Sequence, residues 1–244
     1  MKYLTKQWYH AMRSSDLHLL QNADEQAIQP TESYFQECYA QWEQQWMDGL
    51  ASPEESTPEE QSKKILQLQK EARTVFENNL AYYEKRLPQA IKEEIADLRL
   101  LPLYKISPTA LQLLTRYCME NDAAADEGIR LLKQEQALHF PDGLPSFYND
   151  LYFHDAVITA MAWEGEDLLL SFDWGKRCRF SEAKILLQEE ALENACWLYQ
   201  ELYTSDQGYE LHILLCRENE FSNEHLFYFT LRCREIYIDF PENI

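Results

Sequence analysis

Glycine is scarce in this chain. Six glycines among 244 residues leave little room for a phosphate-cradling loop, and no such loop is present. HExxH, G-x-S-x-G and paired Cys/His spacings are equally absent, so zincin, serine-hydrolase and zinc-ribbon chemistry have no support in the sequence. The six cysteines (Cys38, Cys118, Cys178, Cys196, Cys216 and Cys233) stand far apart. In a chain of this length without a secretory leader they read as reduced, mostly buried small hydrophobes. Basic residues are few: 22 Lys and Arg against 42 Asp and Glu give a net charge of −20. Phosphate backbones and anionic bilayers repel such a chain, which argues against nucleic acid and membrane surfaces as partners. No apolar run is long enough to span a bilayer, and the opening Met1-Lys2-Tyr3-Leu4-Thr5-Lys6-Gln7-Trp8 has no apolar leader core. The expectation is a soluble, cytoplasmic protein.

Aromatic rings are plentiful, with six Trp and fifteen Tyr, and the 45% hydrophobic content suffices for a sizeable core. Near residue 145 the spacing of apolar residues changes from helical to alternating. Pro141-Asp142-Gly143 is a turn signal at that change. The pattern predicts a helical domain over 1–143 and an antiparallel β-sheet domain over 144–244, an α+β protein. Charge is split unevenly between the two parts. Residues 1–144 hold 23 acids and 15 bases, whereas the last hundred hold 19 acids and 7 bases, a net −12.

In the helical part, Thr57-Pro58-Glu59-Glu60 combines a cap, a first-turn proline and a capping-box glutamate. Behind it Ile65, Leu68, Ala72, Phe76, Leu80, Tyr83 and Leu87 form one apolar stripe, predicting the longest helix of the chain, ended by Pro88. A shorter helix burying Ile91, Ile95 and Leu98 is expected after it. Upstream, Thr31 caps a helix with Phe35, Tyr39, Trp42 and Trp46 on its inner face, closed by Gly49. That aromatic face reads as core rather than as a ligand groove. Ser107-Pro108 starts another helix through Leu111, Leu114 and Cys118. Asp122 opens a further one, although Gly128 opposes it.

In the strand part, strands are expected over 156–163 and 167–174 around the turn Glu164-Gly165-Glu166, with a third over 185–187. The stretch 191–203 suits either a helix or a strand; the hairpin-like Ser205-Asp206-Gln207-Gly208 favours a strand from Trp197. Tyr209, Leu211, Ile213 and Leu215 then share one face, and Phe227, Phe229 and Leu231 line a final strand. The apolar parity flips to Ile236, Ile238 and Phe240, which implies a bulge or bend around Arg234-Glu235.

His154-Asp155 is the adjacent pair that invites a catalytic reading, because a histidine with a carboxylate binds metal or acts as a general base. Adjacent strand residues point to opposite faces, so a shared role needs loop geometry. The simpler assignment is a hydrogen bond to a turn at the strand entrance. Glu210 and His212, two apart on one strand face, form a candidate binding set, joined by Asp173 if its strand is a neighbour. Polar residues are also what the solvent face of an amphipathic strand requires. No closed ligand set is apparent, so neither metal nor cofactor is expected.

Lys2-Tyr3-Leu4-Thr5-Lys6-x-Trp8-Tyr9 resembles the start of an uncharacterised bacterial family, one of the domains of unknown function. His154-Asp155, Trp197-Leu198-Tyr199-Gln200-Glu201 and Gly208-Tyr209-Glu210-Leu211-His212 resemble its C-terminal half. The resemblance spans nearly the whole chain and implies a cytoplasmic bacterial protein without supplying an activity. The C-terminal pattern is also similar in style to small acidic immunity proteins. Two functions compete. One is a non-enzymatic protein-binding module, in its sharpest form an immunity-like neutraliser of a basic bacterial toxin. The other is a metal-dependent hydrolase using His154, Asp155, Glu210 and His212.

Overall fold

The structure, a computed structural model, describes residues 1–50, 58–219 and 223–239. The capping box expected at Thr57 and Glu60, and Phe240, lie outside the described residues and side chains. The helices are α1 (Lys6–Met12), α2 (Glu32–Leu50), α3 (Pro58–Arg86), α4 (Gln89–Lys92) and α5 (Pro108–His139). Two short strands, β1 (Asn22–Ala23) and β2 (Lys105–Ile106), pair in parallel. Eight more strands form one antiparallel sheet: β3 (Ala156–Glu164), β4 (Asp167–Phe172), β5 (Arg177–Phe180), β6 (Lys184–Gln188), β7 (Cys196–Ser205), β8 (Gly208–Asn219), β9 (Asn223–Cys233) and β10 (Ile236–Asp239). The protein is α+β. The change from helix to strand falls between α5 and β3, yet the two compact units divide the chain elsewhere. One holds Met1–Met12 and Asp122–Ile244, the other Arg13–Asn121.

In the helical unit, Thr31 caps α2 by accepting from the Tyr34 N–H at 3.2 Å. Phe35, Cys38 and Trp42 of α2 are buried with Ala72 and Phe76 of α3. The Phe76 ring lies 5.1 Å edge-on from Tyr39 and 6.0 Å from Trp42. The aromatic face is therefore core. Ala72, Phe76, Tyr83 and Leu87 of the stripe are buried and Leu80 is partly buried, but Ile65 is exposed. Among the described residues the longest helix is α5 at 32 residues, with α3 at 29. The expected break at Asp122 does not occur: α5 gives residues 108–121 to this unit and 122–139 to the other.

That continuity has a local cause in the sheet unit. A side chain at Gly128 would sit 2.6 Å from Cδ1 of Trp8, and the Trp8 indole N–H donates to the Ala125 carbonyl at 2.9 Å. The glycine, which weakens a helix in isolation, is what lets the indole lie against the helix backbone.

The sheet closes on itself. β5 pairs with β10 and β6 with β9, while β5 runs into β6 and β9 into β10. The pairs Phe180↔Ile236 and Lys184↔Arg232 lie four residues apart on each strand, so one antiparallel register passes through the bend. Ser181 N–H donates to the Glu235 carbonyl at 3.0 Å, and Arg234 N–H to the Ser181 carbonyl at 2.9 Å. The parity flip read at Arg234-Glu235 is this corner. Its interior is a continuous apolar core with Phe153, Phe172, Phe180, Trp197, Phe227 and Phe229. The strand β5 has no counterpart in the sequence reading.

The second face of β8, with Glu210 and His212, reads in the sequence as a solvent face. Instead Leu198, Leu214, Cys216 and Leu226 are buried against Leu4, Trp8, Tyr9, Ala125 and Leu132. Burying each such large side chain is worth roughly 1.5–3 kcal/mol, which is why the first twelve residues and α5 from Asp122 belong to the sheet unit.

Candidate functional site

Three of the polar groups on the sheet bear on the candidate residues. The first is the turn into β3. Asp155 has φ +65°, a left-handed conformation that Asp tolerates better than most residues. Its N–H donates to the Trp197 carbonyl at 2.9 Å. His154 Nδ1 lies 2.7 Å from the Leu198 carbonyl oxygen. A carbonyl only accepts, so Nδ1 carries the proton and, in the neutral ring, Nε2 is an acceptor. The ring packs 4.9 Å from Tyr199. Asp155 Oδ2 is 3.6 Å from Nε2, beyond hydrogen-bond length. The left-handed residue thus brings both side chains to one side, which regular strand geometry would forbid.

Asp173 follows β4 and belongs to this same end of β3. Its Oδ1 accepts from Val157 N–H at 3.0 Å. It does not adjoin Glu210 and His212, because β3 and β7 lie between β4 and β8 in the sheet.

The second group is on β8. His212 Nε2 is 2.8 Å from Glu210 Oε1, and Arg232 Nη2 donates to Glu210 Oε2 at 2.6 Å. These residues do not line a solvent face; the His212 side chain is only 14% exposed. Burial pushes the Glu210 carboxyl up, but the hydrogen bonds from Arg232 and His212 outweigh it and hold the group below the usual carboxylate range. His212 moves down instead: burial lowers it by more than the Glu210 hydrogen bond raises it. The two directions are reconciled if neutral His212 donates through Nε2 while Arg232 supplies the countercharge. His212 Nδ1 is then a buried acceptor without a hydrogen bond among the described residues.

This has a pH signature. The folded His212 binds its proton less readily than the unfolded chain, so its contribution to stability is complete above the unfolded pKa of about 6.5 and is lost as pH falls below it. Between about pH 7.5 and pH 5.5, wild-type stability should fall more steeply than that of His212→Gln. Equal slopes in urea unfolding would show that His212 is not held neutral.

The third group was not foreseen. Glu201 on β7 faces His212 across the ladder and is fully buried. Its Oε1 accepts from the Tyr3 and Leu4 N–H groups at 2.8 and 2.6 Å, and its Oε2 from Lys2 N–H and the Tyr203 hydroxyl, both at 2.8 Å. Burial and the Glu201 carboxylate push the Tyr203 hydroxyl far up, keeping it a donor. The one available signal was an acid placed two residues from Tyr199 and from Tyr203 in an otherwise aromatic strand face.

The four residues of the hydrolase reading therefore do not assemble into one set. Glu210 and His212 are taken up by Arg232 and each other, while His154 is bonded to β7. Among the described residues no three His, Cys, Asp or Glu side chains stand together as a metal site requires. The cysteines are free thiols, and burial pushes Cys233 up to about 12, away from thiolate chemistry. Among the described residues no helix is long and apolar enough to cross a membrane. No protein-family model, curated protein or solved structure matches the chain.

Proposed function

We propose that this is a non-enzymatic protein-binding module of the bacterial cytoplasm that takes a basic partner, and that an immunity-like neutraliser of a basic toxin is its sharpest form. The observation that carries this reading is the open side of β3. β7 pairs with β3 only at Ala156 and Val157, and Ile158 bonds to Asn194 and Ala195. Residues 159–164 then continue with β4 on one side and no strand on the other among the described residues. An exposed edge of this kind offers unpaired N–H and C=O groups to an incoming strand.

Carboxylates flank both ends of it. Asp155, Asp173 and Glu193 stand by its start and Glu166 follows its end. None of them pairs with a Lys or Arg among the described residues. An extended basic segment would meet backbone donors and acceptors along β3 and acids at each end, with the half-exposed Trp163 as an apolar anchor. Glu210, being paired with Arg232, drops out of the binding surface.

Charge of this kind acts mainly on association, whereas the packed centre of an interface sets dissociation. With a partner captured from the native host, raising salt from about 50 to about 500 mM should slow association at least about tenfold in stopped flow, with dissociation changing much less. Asp155→Asn with Asp173→Asn and Glu193→Gln should flatten that dependence. An association rate indifferent to salt would remove the acidic rim from the recognition.

A further inference from the structure

Beside His154 the sheet unit contains a cavity of about 280 Å³ lined by Leu4, Leu132 and Leu198 and by Tyr148, Tyr152 and Tyr199. We propose that it is a binding site for a small organic cation: an ammonium or amidinium nitrogen carried on a flat apolar body. This site shares Asp155 with the rim of the strand edge, but it is a pocket lined from other elements and its recognition needs no strand partner.

The selectivity follows from which polar atoms the cavity leaves unspent. Gln200 is committed, since its Oε1 accepts from the Trp197 indole N–H at 2.9 Å and its Nε2 donates to the Leu151 carbonyl at 3.2 Å. The Tyr148 hydroxyl accepts from Gln136 at 3.3 Å. His154 Nε2 has no hydrogen bond among the described residues, because its proton-bearing Nδ1 is anchored on Leu198. The cavity thus presents an acceptor in need of an N–H or O–H donor. The Asp155 carboxylate, 3.6 Å from that nitrogen, makes the position electronegative, and Tyr152 and Tyr199 line the cavity with rings of the kind that attract cations. A carboxylate or phosphate would meet the like charge of Asp155 beside His154 Nε2, although the Tyr148 hydroxyl, which accepts from Gln136, keeps its own O–H as a donor. In size, about 280 Å³ equals the liquid volume of roughly nine waters, room for a ligand of roughly a dozen non-hydrogen atoms. The same chemistry is available from a free amine or from the guanidinium of an arginine side chain.

The test is an NMR titration of the intact chain with three isosteric indoles: tryptamine as cation, tryptophol as neutral and indole-3-acetate as anion. Acetyl-arginine amide forms a fourth arm. Tryptamine or the arginine derivative should bind with a Kd of about 1 mM or tighter, shifting the His154 ring signals. The tighter of these two names the source of the cation. The neutral probe should bind at least about fivefold more weakly and the anion weaker still. Tyr152→Ala, at a position 66% exposed and so tolerant in folding, should weaken the cation at least about fivefold. His154→Phe, which keeps a ring against Tyr199 but removes the acceptor, should do the same. Three results would each overturn the proposal: no cation binding at about 5 mM, equal binding of all three indoles, or cation binding unchanged in both variants.

Discussion

Glu201→Ala is expected to destabilise the sheet unit by about 4 kcal/mol. A hydrogen bond to a charged group is worth about 1.5–3 kcal/mol, and this carboxylate holds four of them. The loss stays below their sum for two reasons. Removing a buried charge returns part of its desolvation cost, and the freed N–H groups of Lys2, Tyr3 and Leu4 regain water once that segment lifts. Graded substitutions locate the effect. Tyr203→Phe loses one donor and should cost about 1–2 kcal/mol. Glu201→Gln should fall between, because its amide N–H would face another donor. Urea unfolding gives the energies, and amide exchange at Lys2 to Leu4 reports whether the segment has come free. Wild-type stability with those amides still protected would show that the carboxylate is not the anchor.

The second large effect is expected at Gly208, where the β7–β8 hairpin presses on the corner of the sheet. Its φ is +139°, and a Cβ there would lie 2.3 Å from the Arg234 carbonyl oxygen and 2.5 Å from that of Cys233. Neither is the yielding end of a side chain; both are backbone. Gly208→Ala therefore combines a forbidden dihedral with a clash that only movement of the strand bend relieves, about 3–5 kcal/mol together. Gly165 is the control, with φ +65° and nothing within 4 Å of its Cβ position. There Ala meets only the left-handed penalty, about 1–2 kcal/mol. Thermal unfolding of the two variants should separate them clearly. Equal losses would mean that conformation alone, and not the crowded corner, requires glycine at 208.

What could be read in advance was what neighbours in sequence determine. The alternation through β3, β4, β8 and β9 and the parity flip at Arg234-Glu235 are local signals, and the strands and their corner lie where those signals put them. The strand at 197–203 was decided by its hairpin turn, again locally. Features set by distant partners were hidden. Gly128 looked like a helix breaker because its partner, Trp8, is 120 positions away. The polar face of β8 looked solvated because nothing in β8 announces that the opening residues cover it. Of the candidate site residues, His154 and Asp155 stand out as a pair in sequence, but their shared orientation depends on one backbone dihedral that no spacing rule contains. Glu201 was overlooked for the same reason as the covered face: three of its four donors are backbone amides, and backbone amides carry no sequence signature.

The tie between Glu201 and the opening residues orders events during synthesis. Tyr3 and its carboxylate are 198 residues apart, and the whole of the helical unit, Arg13–Asn121, is translated between them. Contacts of such separation form slowly, although closing a long loop costs only a logarithm of its length. Until residue 201 clears the ribosome, Lys2 to Leu4 and the Trp8 face have no sheet to cover, while every residue of the helical unit is already present. Lys2 to Leu4 are thus made long before the carboxylate that fixes them, and Leu4, Trp8 and Tyr9 lack the part of their cover that the sheet supplies until it forms.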